Sequence, residues 1–193
     1  ELLLGKITDT QDTTGTVLEE REVAVDEAQV REVIGSFVGG YDQIPPMYSA
    51  LKVNGKKLYE LARAGKEVER QARHVDLPAI EILEIRLPVV KFRVECSKGT
   101  YIRSLCADIG GKLGCGGTMQ SLVRTRVGEF RLTDALTLTQ LQELRDTGRL
   151  EEALLPTEIV DSRETTPEKD NGGEIVATFV APETAVKEYP LHQ

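Results

Sequence analysis

Between Val89 and Gly114 the apolar pattern changes its period, and that change limits the folds open to the chain. Over residues 89–96 apolar and charged residues alternate. Phe92, Val94 and Cys96 fall on one face, and Lys91, Arg93 and Glu95 on the other, as in a strand with one side buried. From Thr100 onward the apolar residues Ile102, Leu105, Ile109 and Leu113 share one helical stripe instead. Gly99 stands between the two patterns and supplies the turn. The sequence thus predicts a strand, a tight turn, and a helix that opens at Thr100 and ends at Gly114. Gly110 and Gly111 lower the intrinsic stability of this helix, so packing of the stripe must hold it.

The remaining elements are predicted in the same way. Residues 2–7 and 16–25 read as strands on either side of a polar turn, Thr8-Asp9-Thr10-Gln11-Asp12-Thr13-Thr14-Gly15. Asp26 caps a helix that runs to about Phe37, with Val30, Val33, Ile34 and Phe37 at helical spacing, and Gly39-Gly40 ends it. Pro45-Pro46 forces the chain to stay extended at that point. A short strand over 51–53, an Asn54-Gly55 turn and a short helix over 57–64 come next. Strands are expected over 68–73 and 75–87, and a helix over 137–147 with Leu138, Leu141 and Leu144 on one face. Strands and helices without regular βαβ alternation predict an α+β fold, a mixed, mainly antiparallel sheet flanked by helices. After Pro156 the chain is polar over 165–173, a linker, with a single strand over 174–180 and too little beyond it for a separate core.

No run is long or apolar enough to span a bilayer, and the first residues carry no secretory signal, which points to the cytoplasm. Cys96, Cys106 and Cys115 match neither a zinc pattern nor a disulfide framework and read as buried free thiols. His74 reads as a surface or interface residue and His192 as part of a frayed end, too few and too far apart in sequence for a metal site. The formal net charge of -8 argues weakly against nucleic acid. Its distribution argues the other way. Residues 50–74 hold seven Lys/Arg against three Glu, and 98–131 hold six against Asp108 and Glu129. Backbone phosphates respond to such local charge, because salt screens the acidic flanks.

The segment Cys96-Ser97-Lys98-Gly99-Thr100-Tyr101-Ile102-Arg103-Ser104-Leu105 carries the chemistry. It places Tyr101 and Arg103 in the first turn of a helix, where free backbone N–H groups favour anions. Arg103 can pair bidentately with a carboxylate or phosphate, and Tyr101 can stack on a base. From the residues alone, Tyr101 could equally be core and Arg103 a surface ion-pair partner.

This run, with Asp108-Ile109-Gly110, Leu113-Gly114-Cys115-Gly116, Leu122 and Arg124-Thr125-Arg126-Val127-Gly128, resembles the bacterial TruB-type tRNA pseudouridine synthases. So do the Pro45-Pro46-Met47-Tyr48-Ser49-Ala50-Leu51-Lys52-Val53-Asn54-Gly55-Lys56-Lys57-Leu58-Tyr59-Glu60-Leu61-Ala62-Arg63 block and the Thr8 to Gly15 turn. The three matches keep the family's order and spacing up to about Glu143. The resemblance implies isomerisation of a T-loop uridine in tRNA to pseudouridine, with no cofactor and no metal. An aspartate acts as nucleophile on a flipped-out nucleotide. Arg103 matches the arginine that pairs with that aspartate, Tyr101 a tyrosine contacting the flipped base, and Leu122 an apolar pocket residue. Residues 44–73 match an inserted segment that grips the T-arm. Lys52, Lys56, Lys57, Arg63, Lys66 and Arg70, with Lys98, Arg124 and Arg126, are the expected RNA contacts.

The resemblance also implies that 1–155 is the C-terminal part of the catalytic domain, incomplete at its N-terminus. Residues 156–193 would be a linker and remnant of a small PUA-like RNA-binding region. The family's Gly-x-Leu-Asp-Pro-like nucleophile motif occurs nowhere in these residues, and neither does a second pocket tyrosine. Asp9 and Asp12 belong to a different motif and are not expected to be nucleophiles. Gly117-Thr118 stands where the family usually has Ala-His, and Val123 where an arginine is common. The expectation is therefore an active, monomeric parent enzyme and a fragment that holds RNA without turnover and is open to self-association. A non-catalytic RNA-binding or RNA-folding module is the alternative.

Overall fold

The computed structural model describes residues 1–53 and 55–154. The linker, strand and PUA-like remnant expected in 156–193, including His192, lie outside the described residues, as does Asn54. Within the span read from sequence as one domain, the chain divides into two compact units, one of Glu1–Leu122 and one from Val123 onward.

The first unit contains β1 (Leu2–Leu4), β2 (Lys6–Thr8), β3 (Val17–Glu20), α1 (Glu27–Gly35), β4 (Tyr41–Gln43), β5 (Lys52–Val53), β6 (Lys56–Lys57), α2 (Leu58–Arg63), β7 (Arg73–Val75), β8 (Ala79–Arg86), β9 (Val89–Glu95), α3 (Ile102–Lys112) and β10 (Gly117–Met119). Its main sheet has the order β10-β1-β9-β8, and every neighbouring pair is antiparallel. Smaller ladders pair β2 with β3, β4 with β7 and β5 with β6. Among the described residues a parallel pairing occurs at one isolated bridge, between Asp12 and Met119. This is the mixed, mainly antiparallel α+β arrangement expected.

Strand β1 sits inside the sheet, so both its outer leucines are enclosed, Leu2 at 0% and Leu4 at 2% exposure. With Val90, Ile34, Phe37, Leu77, Leu105 and Ile109 they form the core, to which α1 and α3 contribute their apolar stripes. Helix α1 starts where Asp26 accepts from the Gln29 N–H while the Gln29 side chain accepts from the Asp26 N–H, a capping box. Helix α3 begins one residue later than the sequence suggests. Thr100 spends its hydroxyl on Ser97 O at 2.9 Å, closing the Gly99 turn, and Tyr101 becomes the N-cap. Leu113 caps the other end and Gly114, at φ +81°, takes the chain away.

Five expectations are corrected. The strand over 2–7 is two strands, because Gly5 turns at φ +87° and packs against Arg21 O and Val23. The strand over 16–25 shortens to β3, and that over 68–73 becomes irregular chain before β7. The strand over 75–87 is interrupted, since Pro78 cannot donate to a ladder and β8 restarts at Ala79. Cys96 is exposed, just past the end of β9, whereas Cys106 and Cys115 are buried and all three are free thiols. Burial pushes the Cys106 thiol up to about 12, which keeps it inert.

The second unit holds a two-stranded hairpin, β11 (Arg126–Val127) with β12 (Phe130–Arg131), and helix α4 (Leu138–Asp146), capped by Thr137 and Gln140. Leu141 and Leu144 are half-buried, but Leu138 is exposed in the first turn, so the expected three-leucine face is shorter by one residue.

Candidate active site

The turn between β2 and β3 is built from its own side chains. Asp12 is 3% exposed, and its Oδ1 accepts from Thr10 Oγ1 at 2.9 Å, Thr14 N at 3.0 Å and the Thr14 hydroxyl. Asp9 Oδ1 accepts from Thr16 N at 2.8 Å. The Thr8 hydroxyl donates to Asp12 O at 2.7 Å and meets Thr118 Oγ1 at 3.0 Å. Thr118, fully buried on β10, thus ties the turn to the main sheet, which gives that departure from the family pattern a structural role. Nothing in the structure explains Val123, which is exposed.

Arg103 reaches this turn from the first turn of α3, with its side chain 20% exposed. Nη1 donates to Thr10 O at 2.9 Å and lies 3.4 Å from Asp12 Oδ2, and Nη2 donates to Tyr48 O at 2.6 Å. One guanidinium therefore joins the β2–β3 turn to the chain entering residues 44–73. Only a planar fork with several fixed donors can serve two carbonyls and a carboxylate at once. Next to it, Ser104 Oγ donates to Gln11 Oε1 at 2.8 Å, and Gln11 holds φ at +65°, uncommon for a residue with a side chain.

Tyr101, half-buried, is one residue outside the helix. Its N–H donates to Gln43 Oε1 at 2.8 Å and its carbonyl accepts from Gln43 Nε2 at 3.0 Å. Leu122 is 48% exposed, just beyond the end of β10. A cleft of about 210 Å³ is lined by Asp9, Gln11, Met47, Glu67 and Arg70 among others, next in sequence to the groups that Arg103 holds.

The inserted basic residues separate into two kinds. Lys52 and Lys56 are exposed on the β5–β6 hairpin, where Lys52 faces Lys57 and Val53 faces Lys56. Lys57 Nζ lies 5.4 Å and the Arg63 guanidinium 5.5 Å from the centre of the Tyr59 ring, so cations flank an aromatic. Lys66 and Lys98 are exposed. Arg70 is committed internally, donating to Pro45 O at 3.1 Å and to Glu67 at 3.0 Å. Arg124 and Arg126 are exposed residues of the second unit, Arg126 opposite Arg131 in the hairpin. Among the described residues no group of three His, Cys, Asp or Glu could hold a metal ion, and no helix is long and apolar enough to cross a membrane.

Sequence reading missed Gln43, the Asp12 contact to Arg103 and the Tyr59 ring. Gln43 ends a three-residue strand, too short for alternation to mark an inward polar residue. Tyr59 sits in an amphipathic helical block, where an aromatic reads as core.

The family model described as "TruB family pseudouridylate synthase (N terminal domain)" matches residues 1–102. That described as "tRNA pseudouridylate synthase B C-terminal domain" matches 103–160. tRNA pseudouridine synthase B of Alkaliphilus oremlandii is 53% identical over 156 residues, 81% of this chain and 51% of its own length. That of Clostridium acetobutylicum is 54% identical over 143 residues, 74% of this chain and 50% of its own. The chain spans about half the length of these curated relatives. Among solved structures, a chain of a Cbf5-Nop10-Gar1 complex superposes with TM-score 0.57 at 33% identity, covering 72% of this chain and 39% of that one. A chain of an H/ACA RNP bound to a substrate RNA containing 2'-deoxyuridine gives 0.54 at 26%, covering 81% and 38%.

Proposed function

The chain belongs to the TruB family of pseudouridylate synthases, and from that premise we propose that its gene product isomerises a T-loop uridine of tRNA to pseudouridine. The observation that carries this is the strand–turn–helix unit, with Tyr101 at the N-cap of α3 and Arg103 in its first turn. Relatives about half identical over most of the chain bear the name tRNA pseudouridine synthase B, and one structural neighbour was solved on a substrate RNA.

In this reading the target uridine is flipped from the T-loop, because its glycosidic bond is otherwise out of reach. The C1′–N1 bond breaks, a C1′–C5 bond forms, and C5 gives up its proton while N1 takes one. The Tyr101 ring contacts the flipped base. The Arg103 guanidinium, anchored at Thr10 and Tyr48, holds a nucleophilic carboxylate ionised and oriented. Neither Asp9 nor Asp12 is assigned as that nucleophile, since their Oδ1 atoms are spent on the turn. These 193 residues alone are accordingly proposed to bind RNA without turnover. Leu122, exposed and outside the cleft of Asp9, Gln11 and Met47, is the apolar residue proposed to meet the flipped base. Lys52, Lys56, Lys57, Arg63 and Lys66 of the insert, with Lys98, Arg124 and Arg126, meet backbone phosphates of the T-arm without reading bases, while Arg70 braces the insert.

The test is pseudouridine formation by the gene product on a T-arm hairpin, with no metal or cofactor added. Turnover supports the assignment. Binding without turnover would replace it with a non-catalytic RNA-binding module. The insert makes a separate prediction. Each lysine neutralised at a phosphate should reduce the slope of log affinity against log salt by about 0.7 to 0.9. Lys56→Ala with Lys57→Ala should therefore flatten the slope by nearly two such steps in a salt titration of hairpin binding. An unchanged slope would remove this hairpin from the RNA interface.

A further inference from the structure

Strand β4 grips α3 at two points, and the grip converges on Tyr101. Gln43 is 2% exposed and its amide is fully engaged. Oε1 accepts from Tyr101 N–H, while Nε2 donates to Tyr101 O at 3.0 Å and to the Tyr41 hydroxyl at 2.7 Å. Tyr41, having accepted, donates its own proton to Asp108 Oδ2 at 2.7 Å. Burial, then the hydrogen bond to Asp108, raises the Tyr41 pKa above its ordinary value, so the hydroxyl stays a donor.

This chain of hydrogen bonds has one direction. A flipped Gln43 amide would set N–H against N–H and oxygen against oxygen at Tyr101. Asp108 fixes the sense of the Tyr41 hydroxyl and lies on the same helix, about two turns beyond Tyr101. Tyr101 makes no side-chain cap bond, and the Gln43 carbonyl accepts from its N–H as the N3 side chain of a capping box would. The N-cap conformation, φ -96° and ψ 107°, is thereby set from outside the helix.

We propose that Gln43 is a positioning residue for the isomerisation, acting through the Tyr101 main chain to aim the Tyr101 ring and Arg103, with Tyr41 and Asp108 holding its amide in register. This rests on the function proposed above. A backbone shift at Tyr101 moves both side chains relative to the flipped nucleotide, and a misplacement of about 1 Å costs on the order of 100-fold in rate. Gln43 pairs with Arg73 at the end of the insert, but its side-chain hydrogen bonds go to Tyr41 and Tyr101 and to none of the insert's lysines.

Two measurements test it. In the 193-residue chain, hydrogen exchange at the Tyr101 amide should quicken by about tenfold or more in Gln43→Met, because the clamped N–H loses its acceptor. In the gene product, Gln43→Met should lower kcat on the T-arm hairpin by about 100-fold with KM little changed. Tyr41→Phe removes the outer link and keeps the amide contacts to Tyr101. Its kcat should fall less, by about tenfold, and it serves if Gln43→Met misfolds. An unchanged Tyr101 exchange rate, or a change in KM alone, overturns the proposal. A wild-type gene product that forms no pseudouridine overturns the catalytic purpose along with the assigned function, while the exchange result still decides whether the clamp exists.

Discussion

Gly110→Ala is expected to strip the first unit of about 3 kcal/mol or more, the upper end for overpacking. A Cβ at this position would lie 2.2 Å from Gly117 N, 2.3 Å from Gly116 C and 2.4 Å from Gly117 Cα. These are main-chain atoms of the turn into β10 and cannot rotate aside. The approach is mutual, since Gly117 would place a Cβ 2.9 Å from Leu2 Cδ1 and 3.0 Å from Gly110 Cα, and Gly116 N–H donates to Gly110 O at 2.9 Å. Helix α3 would have to lift off β10, which pairs with β1, and so open the core around Leu2. Gly111→Ala, one residue on, should do the opposite. Nothing lies within 4 Å of its Cβ and its φ is ordinary, so alanine should add about 0.5 to 1 kcal/mol through helix propensity. Thermal melts of both variants give the answer. Shifts of the same sign would show that the close helix–strand contact is not what Gly110 provides.

This pair also marks the limit of what the sequence discloses. Two adjacent glycines in a helical pattern look alike, and only the position of β10 separates them. Local signals were legible because their partners are a few residues away. Asp26 as a helix cap, the strands that became β8 and β9, and the switch from period two to the α3 stripe are of this kind. The family motifs placed Tyr101 and Arg103 on one helix start. What holds them there was not legible. Arg103 takes its anchors from residues 93 and 55 positions away, and Gln43 lies 58 from Tyr101. No periodicity records such contacts, because they depend on where β4 and the β2–β3 turn come to rest. Gly5 was missed for a related reason. Its positive φ matters only once the chain must leave the main sheet to begin β2.

Arg103→Ala in the gene product should lower pseudouridine formation by about 100-fold or more, as loss of a preorganised charge at a reacting centre does. Hairpin affinity should stay close to wild type, since the proposed phosphate contacts are made by other residues. The variant should also lose about 1–3 kcal/mol of stability, because Thr10 O, Tyr48 O and the enclosed Asp12 carboxylate give up a shared donor. That mixture makes alanine ambiguous, and Arg103→Lys separates the two effects. Lysine keeps the positive charge beside Asp12, and with it part of the stability, but a single ammonium cannot span Thr10 O and Tyr48 O and still face a nucleophile. Kinetics of both variants, each measured beside its melting temperature, should therefore show stability partly restored in Arg103→Lys and activity not. Activity rising with stability would mean that the site needs a charge and no fork. Full activity in Arg103→Ala would mean that the guanidinium only staples the turn to the insert, and the aspartate partner would have to be sought on another residue.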